Sequence, residues 1–235
     1  MSKLEFDFEP LNKVLEGKEI TKNDAYEVFS HSKYNPEKIF KIASNLRNHH
    51  KGKVVSFSKK AFFNIVNLCR DTCSYCTYKA EMGESKLSMM NIDDVKKLAK
   101  SATKLKCIEA LLVTGESPEQ KYDEAAKWLR KNGFSSTGEY LAHCSELVLS
   151  EGLFPHTNAG NLNKSEMNDL KKTNVSMGLM LENSSHRLSE KGMAHHDAPS
   201  KNPKARIKVL KNAGELKIPM TPGILAGIGE NDHEI

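Results

Sequence analysis

The order of apolar and polar positions divides the chain into two stretches of different character. Residues 1–58 predict an N-terminal helical extension, because short apolar stripes recur there at helical spacing. Thr21 to Asp24 resembles a helix cap, and Asn35-Pro36 is a cap followed by proline at the first helical position. The helix that follows carries its apolar stripe at Ile39, Ile42, Ala43 and Leu46.

Residues 59–235 change to alternating strands and helices. The run Ile108 to Val113 is almost continuously apolar, which is typical of a parallel strand covered on both faces. About five serial β-then-α units predict an α/β fold with a parallel sheet and right-handed crossovers. The predicted strands are 61–68, 108–113, 153–158, 175–181 and 218–226. The predicted helices are 93–105, 121–132, 138–151, 164–172 and one from Pro203 that stops at Gly214.

Polar and glycine-rich residues follow the predicted strands at their carboxyl ends. In barrel-type α/β proteins this rim carries the active site, so clustering there predicts a catalytic site. The residues that follow successive strands are a cysteine cluster, Thr114-Gly115-Glu116, Asn158, Glu182 and Gly227-Ile228-Gly229-Glu230.

The cysteine cluster has the spacing C-x3-C-x2-C and consists of Cys69, Cys73 and Cys76. Thiolates are the soft ligands that iron–sulfur clusters select. A closed four-iron cluster needs four such ligands, so three would leave one iron open to another ligand. The spacing alone also allows a zinc site completed from elsewhere, or buried thiols. Cys107 and Cys144 are expected to be core residues.

Composition narrows the class of protein. The chain has 235 residues, 38% hydrophobic and 28% charged, which indicates a globular protein. The net charge of +5 is mild and its lysines are scattered, so neither nucleic acid nor membrane is an expected partner. The first residues, MSKLEFDFEP, lack the apolar centre of a signal peptide. Five cysteines do not suggest a disulfide framework, so we expect a cytoplasmic protein.

An aromatic residue, Tyr75, precedes the third cysteine, and the motif as a whole resembles the radical S-adenosylmethionine (radical SAM) superfamily. The segments LCRDTCSYCTY, LLVTGESPEQKY, SMGLMLE and KNPKARIKVLKNAGELKIPMTPGILAGIGE narrow the resemblance. Together they are similar to the 7,8-didemethyl-8-hydroxy-5-deazariboflavin synthase family, and in particular to the subunit that closes the deazaflavin ring. The resemblance covers about residues 55–230.

This resemblance implies two cofactors and a set of residues that bind them. Cys69, Cys73 and Cys76 would hold a 4Fe-4S cluster, and S-adenosylmethionine would bind the open iron. Thr114-Gly115-Glu116 would receive the methionine ammonium, and Glu182 would contact the ribose. The segment Gly223 to Glu230 would pack on the adenine. The implied cofactor-binding residues are therefore Tyr75, Thr114, Gly115, Glu116, Asn158, Glu182, Gly227 and Gly229.

The resemblance also implies a carbon–nitrogen lyase reaction in coenzyme F420 biosynthesis. Reductive cleavage of S-adenosylmethionine to methionine and 5′-deoxyadenosine would drive closure of the 4-hydroxybenzyl adduct of ribitylaminouracil, with loss of ammonia. A companion radical SAM subunit would make the adduct, and a reductant protein would supply electrons to the cluster. No catalytic side chain is identified. The alternatives are a sibling radical SAM enzyme, either the adduct-forming subunit or a menaquinone-pathway relative, and a non-catalytic iron–sulfur or zinc protein.

Three departures from the family pattern carry expectations of their own. Ala159 replaces proline in His156-Thr157-Asn158-Ala159-Gly160, which would loosen that turn. His195 and His196 fall in a polar loop and are expected to be solvated. The resemblance implies a TIM-type barrel of the radical SAM kind, and members of the family continue beyond the fifth strand. We therefore expect a partial TIM-type barrel of about five βα units, truncated at its C-terminus, with the edge of strand five exposed.

Overall fold

The computed structural model describes residues 8–33 and 35–235, and the described chain divides between Phe57 and Ser58 into two compact units. Residues 1–7, the first part of the stretch whose composition argued against a signal peptide, lie outside the described residues. Every helix in the described part of the chain is too short or too polar to cross a bilayer.

The first unit contains three helices, α1 (Glu9–Leu15), α2 (Lys22–Ser32) and α3 (Pro36–Lys51). The predicted cap of α2 is confirmed as a capping box, in which Thr21 and Asp24 each accept a hydrogen bond from the other's backbone N–H. Leu11 and Ile42 are buried within this unit. The predicted stripe on α3 is only partly correct, because Ala43 is exposed.

The second unit is a parallel five-stranded sheet with strands in the order β1-β2-β3-β4-β5. The predicted α/β class and partial barrel are therefore confirmed, and the sheet is open, with β1 and β5 at its edges. Its strands are β1 (Lys60–Val66), β2 (Glu109–Thr114), β3 (Phe154–Asn158), β4 (Ser176–Glu182) and β5 (Met220–Ile224). Its helices are α4 (Ile92–Lys104), α5 (Asp123–Lys131), α6 (Thr137–Ser150), α7 (Lys164–Lys171) and α8 (Pro203–Glu215).

The hydrophobic core lies between this sheet and its helices. Alternate residues of the strands contribute to it, as the period of two in a β-strand requires. Cys144 is buried in α6 as predicted, and Cys107 packs against the same core. The largest fully buried side chains include Phe63, Leu112, Leu141, Leu170 and Leu179.

The opposite face of the strands points away from this core. Parallel pairing aligns Asn64, Val113, Asn158, Gly178 and Thr221 in one row across all five strands. Residues in one row of a parallel sheet lie at the same height, so this register brings the strand ends to a common rim. The loops that follow the strands therefore meet there.

Several predicted element boundaries differ from the observed ones. Helix α8 passes through Gly214 to Glu215, and the chain turns instead at Lys217, which adopts a left-handed φ of 54°. Helix α4 ends at Lys104, one residue before the predicted end, and Leu105 is 66% exposed. Strand β5 is shorter than the predicted 218–226.

Candidate active site

The loop after β1 contains the three cysteines, and its residues 69–76 are called here the cysteine loop. The cysteines lie in a cavity of about 270 Å³ at the rim of the sheet. Cys69 and Cys73 are partly buried and Cys76 is exposed. Most of the residues predicted to bind cofactors meet in this cavity. The predicted residues in its lining are Cys69, Cys73, Tyr75, Cys76, Thr114, Gly115, Glu116, Asn158 and Glu182.

Gly115 allows the ends of β1 and β2 to approach each other closely. Its N–H donates to the carbonyl oxygen of Val66 at 2.7 Å. A Cβ atom at this position would lie 1.9 Å from the carbonyl oxygen of Leu68 and 2.8 Å from Cβ of Cys69. Gly115 is thus required by the packing of the cysteine loop against β2, whatever contact it makes with a cofactor.

Backbone N–H groups point at two of the three sulfur atoms. The N–H of Glu116 donates to Sγ of Cys69 at 3.2 Å, and the N–H of Lys79 donates to Sγ of Cys76 at 3.4 Å. Burial raises the pKa of Cys69 and raises the pKa of Cys73 to about 11. Both thiols are therefore protonated at neutral pH in the ligand-free chain, and metal binding would displace their protons.

The donor set fits a cluster better than a single ion. Across residues 8–33 and 35–235, no group of three or more His, Cys, Asp and Glu side chains is arranged to hold one metal ion. In a cluster each cysteine binds a different iron, so the three sulfurs need not converge on one point. The cavity wall also contains buried polar atoms that lack a hydrogen-bond partner among the described residues, Asp71 Oδ2 and Thr114 Oγ1. Such atoms suit a polar ligand.

Glu116 lines the cavity, but its carboxylate already has partners within the protein. Oε1 accepts a hydrogen bond from the N–H of Asn161 at 2.9 Å, and Oε2 lies 3.4 Å from Nη2 of Arg206. Gly160 makes room for this carboxylate, since a Cβ there would lie 1.9 Å from Oε2. Burial raises the pKa of Glu116, and the Asn161 N–H and the Arg206 charge oppose that rise. Binding of the methionine ammonium by this residue stays a prediction.

Glu182 ends β4 in a strained conformation. Its φ of 64° is in the left-handed region, at an irregularity in the pairing of β4 with β5. The side chain is buried, and Oε1 lies 2.6 Å from Nζ of Lys201, which also lines the cavity. Strain of this kind is concentrated at functional sites. The predicted contact of Glu182 with ribose stays a prediction.

The expectation that both histidines of the polar loop are solvated is wrong for His195. The side chain of His196 is 44% exposed, but His195 is only 2% exposed. Its Nε2 lies 2.9 Å from the hydroxyl oxygen of Tyr75 in the cysteine loop. Burial, together with the charge of Lys201, lowers the pKa of His195. The loop that contains His195 packs against the cysteine loop, and this contact buries the imidazole ring of His195.

Gly227 and Gly229 do not line the cysteine cavity. They follow β5 with φ angles of 87° and 109°, values that favour glycine. The Glu230 carboxylate accepts hydrogen bonds from the N–H groups of Gly227 and Ile228. The two glycines are thus accounted for by their turn, and packing on adenine stays a prediction.

Several residues of the cavity were not singled out from the sequence. Tyr78, two residues beyond Cys76, donates to the carbonyl oxygen of Val113 at 3.1 Å and so joins the segment after the cysteine loop to β2. Met180 of β4 also lines the cavity. Asp71 and Tyr78 each lie two positions from a motif cysteine, which is a positional signal in the sequence. The lining residues missed by sequence reasoning are Asp71, Tyr78, Lys79, Val113, Gly160, Met180, Lys201 and Arg206.

Residues 63–235 match the family model described as "Radical SAM superfamily". Among curated proteins, the 7,8-didemethyl-8-hydroxy-5-deazariboflavin synthase of Methanopyrus kandleri is 44% identical over 182 residues, which are 77% of this chain and 54% of the relative. The protein of the same name from Methanococcus vannielii is 41% identical over 216 residues, 92% of this chain and 59% of the relative. The FO synthase of Nocardia farcinica is 42% identical over 75% of this chain and 21% of that protein.

Two solved structures share the fold. Methylornithine synthase aligns with a TM-score of 0.72 at 19% identity, covering 96% of this chain and 61% of that one. The FeFe-hydrogenase maturase HydG from Carboxydothermus hydrogenoformans aligns with a TM-score of 0.76 at 23% identity, covering 96% of this chain and 49% of that one. At these identities the likeness concerns the fold alone.

Proposed function

Because the chain belongs to the radical SAM superfamily, we propose that it forms the core of a 7,8-didemethyl-8-hydroxy-5-deazariboflavin synthase. Members of this superfamily use S-adenosylmethionine and an iron–sulfur cluster. The proposed reaction closes the ring of the 4-hydroxybenzyl adduct of ribitylaminouracil, with loss of ammonia. Relatives that are 44% and 41% identical and carry this name support the proposal. The chain spans about half the length of these relatives, at 54% and 59%.

The observation that carries the proposal is the meeting of three cysteines with Thr114, Asn158 and Glu182 in one cavity at the strand ends. We propose that Cys69, Cys73 and Cys76 bind three irons of a 4Fe-4S cluster. The fourth iron, which has no cysteine ligand in this motif, would bind S-adenosylmethionine. When bound, these two groups supply reductive cleavage of the sulfonium, with methionine and 5′-deoxyadenosine as products.

The chain's own residues bind and orient these two groups and exclude water from around them. The unpartnered Thr114 Oγ1 is available for a hydrogen bond with a polar ligand. Buried Arg206 neutralises Glu116, so that this carboxylate is held in place beside the cysteine loop. Val113 and Met180 give the cavity an apolar wall, which limits the access of water to reactive species.

Two partners belong to the proposal. A companion radical SAM subunit would supply the adduct, and a reductant protein would deliver electrons to the cluster. The exposed Cys76 and the partly buried Cys69 and Cys73 leave the cysteine loop close to the surface. A short path from the surface to the cluster favours electron delivery from another protein.

The test is product analysis under oxygen-free conditions after reconstitution with iron and sulfide. The ribitylaminouracil adduct and tyrosine are offered as rival substrates, with this chain and with a version of the relatives' length. Formation of the deazaflavin from the adduct supports the proposal. Consumption of tyrosine indicates the adduct-forming sibling. A reconstituted cluster that never cleaves S-adenosylmethionine, even in the longer version, indicates a non-catalytic iron–sulfur protein.

A further inference from the structure

The segment of residues 194–200, called here the docking segment, lies directly against the cysteine loop, residues 69–76. Two hydrogen bonds join their backbones. The N–H of Thr72 donates to the carbonyl oxygen of Asp197 at 2.7 Å, and the N–H of Ser74 donates to that of Ala194 at 3.0 Å. Thr72 and Asp197 form an antiparallel bridge. The two donors belong to the residues on either side of Cys73.

Side chains add three further contacts between the two segments. The N–H of Ser200 donates to Oδ1 of Asp71 at 3.3 Å, and Nε of Arg70 donates to Oγ of Ser200 at 2.8 Å. His195 bonds to the hydroxyl of Tyr75. Contacts are thus distributed along the cysteine loop from Arg70 to Tyr75.

The docking segment is itself fixed by the rest of the unit. Its residues Ala198 and Ser200 are each 1% exposed. The carbonyl oxygen of Ser200 accepts hydrogen bonds from Nδ2 of Asn161 at 2.9 Å and from Nε of Arg206 at 3.1 Å. The N–H of His195 donates to the carbonyl oxygen of Leu188 at 2.8 Å. These contacts involve residues of the protein alone, so they do not depend on a bound cluster.

We propose that the docking segment holds the cysteine loop in its cluster-binding conformation before any metal arrives, with His195 as a positioning residue that acts through Tyr75. A free loop must lose conformational entropy when it binds a metal centre. A loop that is ordered in advance has already lost this conformational entropy, so it binds the cluster more tightly than a free loop would. The identity of the metal centre in this proposal rests on the proposed function. The ordering of the loop before metal binding does not depend on that function.

The test is amide hydrogen exchange on the full chain, reduced and freed of metal with a chelator. Peptides that contain Thr72 and Ser74 are expected to exchange at least tenfold more slowly than an unstructured reference. In His195→Ala this protection is expected to fall at least fivefold, while peptides from β2 and β3 keep theirs. His195→Gln, which can still bond to Tyr75, should restore most of it. His196→Ala, at the exposed neighbour, is the matched control and should match the parent chain.

Iron and sulfide contents after limited reconstitution give a second readout, and His195→Ala should bind less than half the parent amount. Rapid exchange at Thr72 and Ser74 in the metal-free parent chain would overturn the inference, as would unchanged protection in His195→Ala. If His195→Ala does not fold, the exchange of the parent chain decides alone. A protected loop in a chain that never cleaves S-adenosylmethionine would leave the inference standing and reject the proposed function.

Discussion

Nζ of Lys201 lies 2.6 Å from Oε1 of Glu182, with both side chains largely buried at the rim of the cysteine cavity. Glu182 follows the irregularity at the end of β4, and Lys201 ends a short 3-10 helix just before α8. The pair therefore joins two segments that border the proposed cofactor site. Its burial means that neither charge is well solvated without the other.

Replacing Lys201 by methionine would leave the Glu182 carboxylate buried without its partner. We expect Lys201→Met to lower the free energy of unfolding by about 3 kcal/mol, because an uncompensated buried charge is costly. Urea unfolding of the metal-free chain measures this loss. The control is Lys164→Met, whose pair with Glu215 is 54% and 62% exposed. That change should cost less than about 1 kcal/mol, and equal losses in the two variants would contradict the account.

Adding one methyl group at Gly115 should displace the cysteine loop. In Gly115→Ala the new Cβ would meet the carbonyl oxygen of Leu68 at 1.9 Å, so backbone must move. We expect a loss of about 1–3 kcal/mol in the free energy of unfolding, together with reduced iron binding. Gly214→Ala is the matched control, since a Cβ in that helix meets nothing within 4 Å. It should stabilise the chain by up to about 1 kcal/mol; normal iron binding by Gly115→Ala would count against the role assigned to this glycine.

His156 should make the stability of the metal-free chain depend on pH. Burial lowers the pKa of His156, and the neighbouring Glu109 only partly opposes this. The unfolded chain therefore takes up a proton at His156 before the folded chain does, and stability is lost as the pH falls below about 6.5. His156→Gln should lose less stability than the parent between pH 7 and pH 5 in urea unfolding. His49→Gln, at an exposed position, should keep the parent slope. Identical slopes in all three proteins would refute the prediction.

The sequence predicted the parts of the site that depend on local pattern. Apolar strands ending in polar residues place Cys69, Thr114, Asn158 and Glu182 at one rim, because parallel strands bring their carboxyl ends together. It failed where a side chain is fixed by a distant partner. Arg206 lies within α8 and was not predicted as a site residue, because its buried partner Glu116 is 90 positions away in the sequence. His195 was expected to be solvated, because its partner Tyr75 is 120 positions away and the local sequence does not indicate that contact.

Local rules also failed where the backbone had another way to turn. Gly214 was expected to end its helix, yet α8 continues through it and Lys217 makes the left-handed turn. The positive φ angles of Gly227 and Gly229 account for glycine at both positions, and their contact with a cofactor stays a prediction. A glycine in a sequence thus indicates a special backbone conformation or a close approach, but it does not distinguish a turn from a ligand contact.

We propose that Cys69, Cys73 and Cys76 hold an iron–sulfur cluster with one iron open to S-adenosylmethionine. Electron paramagnetic resonance of the reduced, reconstituted chain, recorded with and without this cofactor, decides whether they do. The account predicts a cluster signal that changes when S-adenosylmethionine is added, in the parent chain and in Cys107→Ala, and no cluster signal in Cys73→Ala. Zinc in place of iron, a signal that S-adenosylmethionine leaves unchanged, or an intact cluster in Cys73→Ala would contradict it.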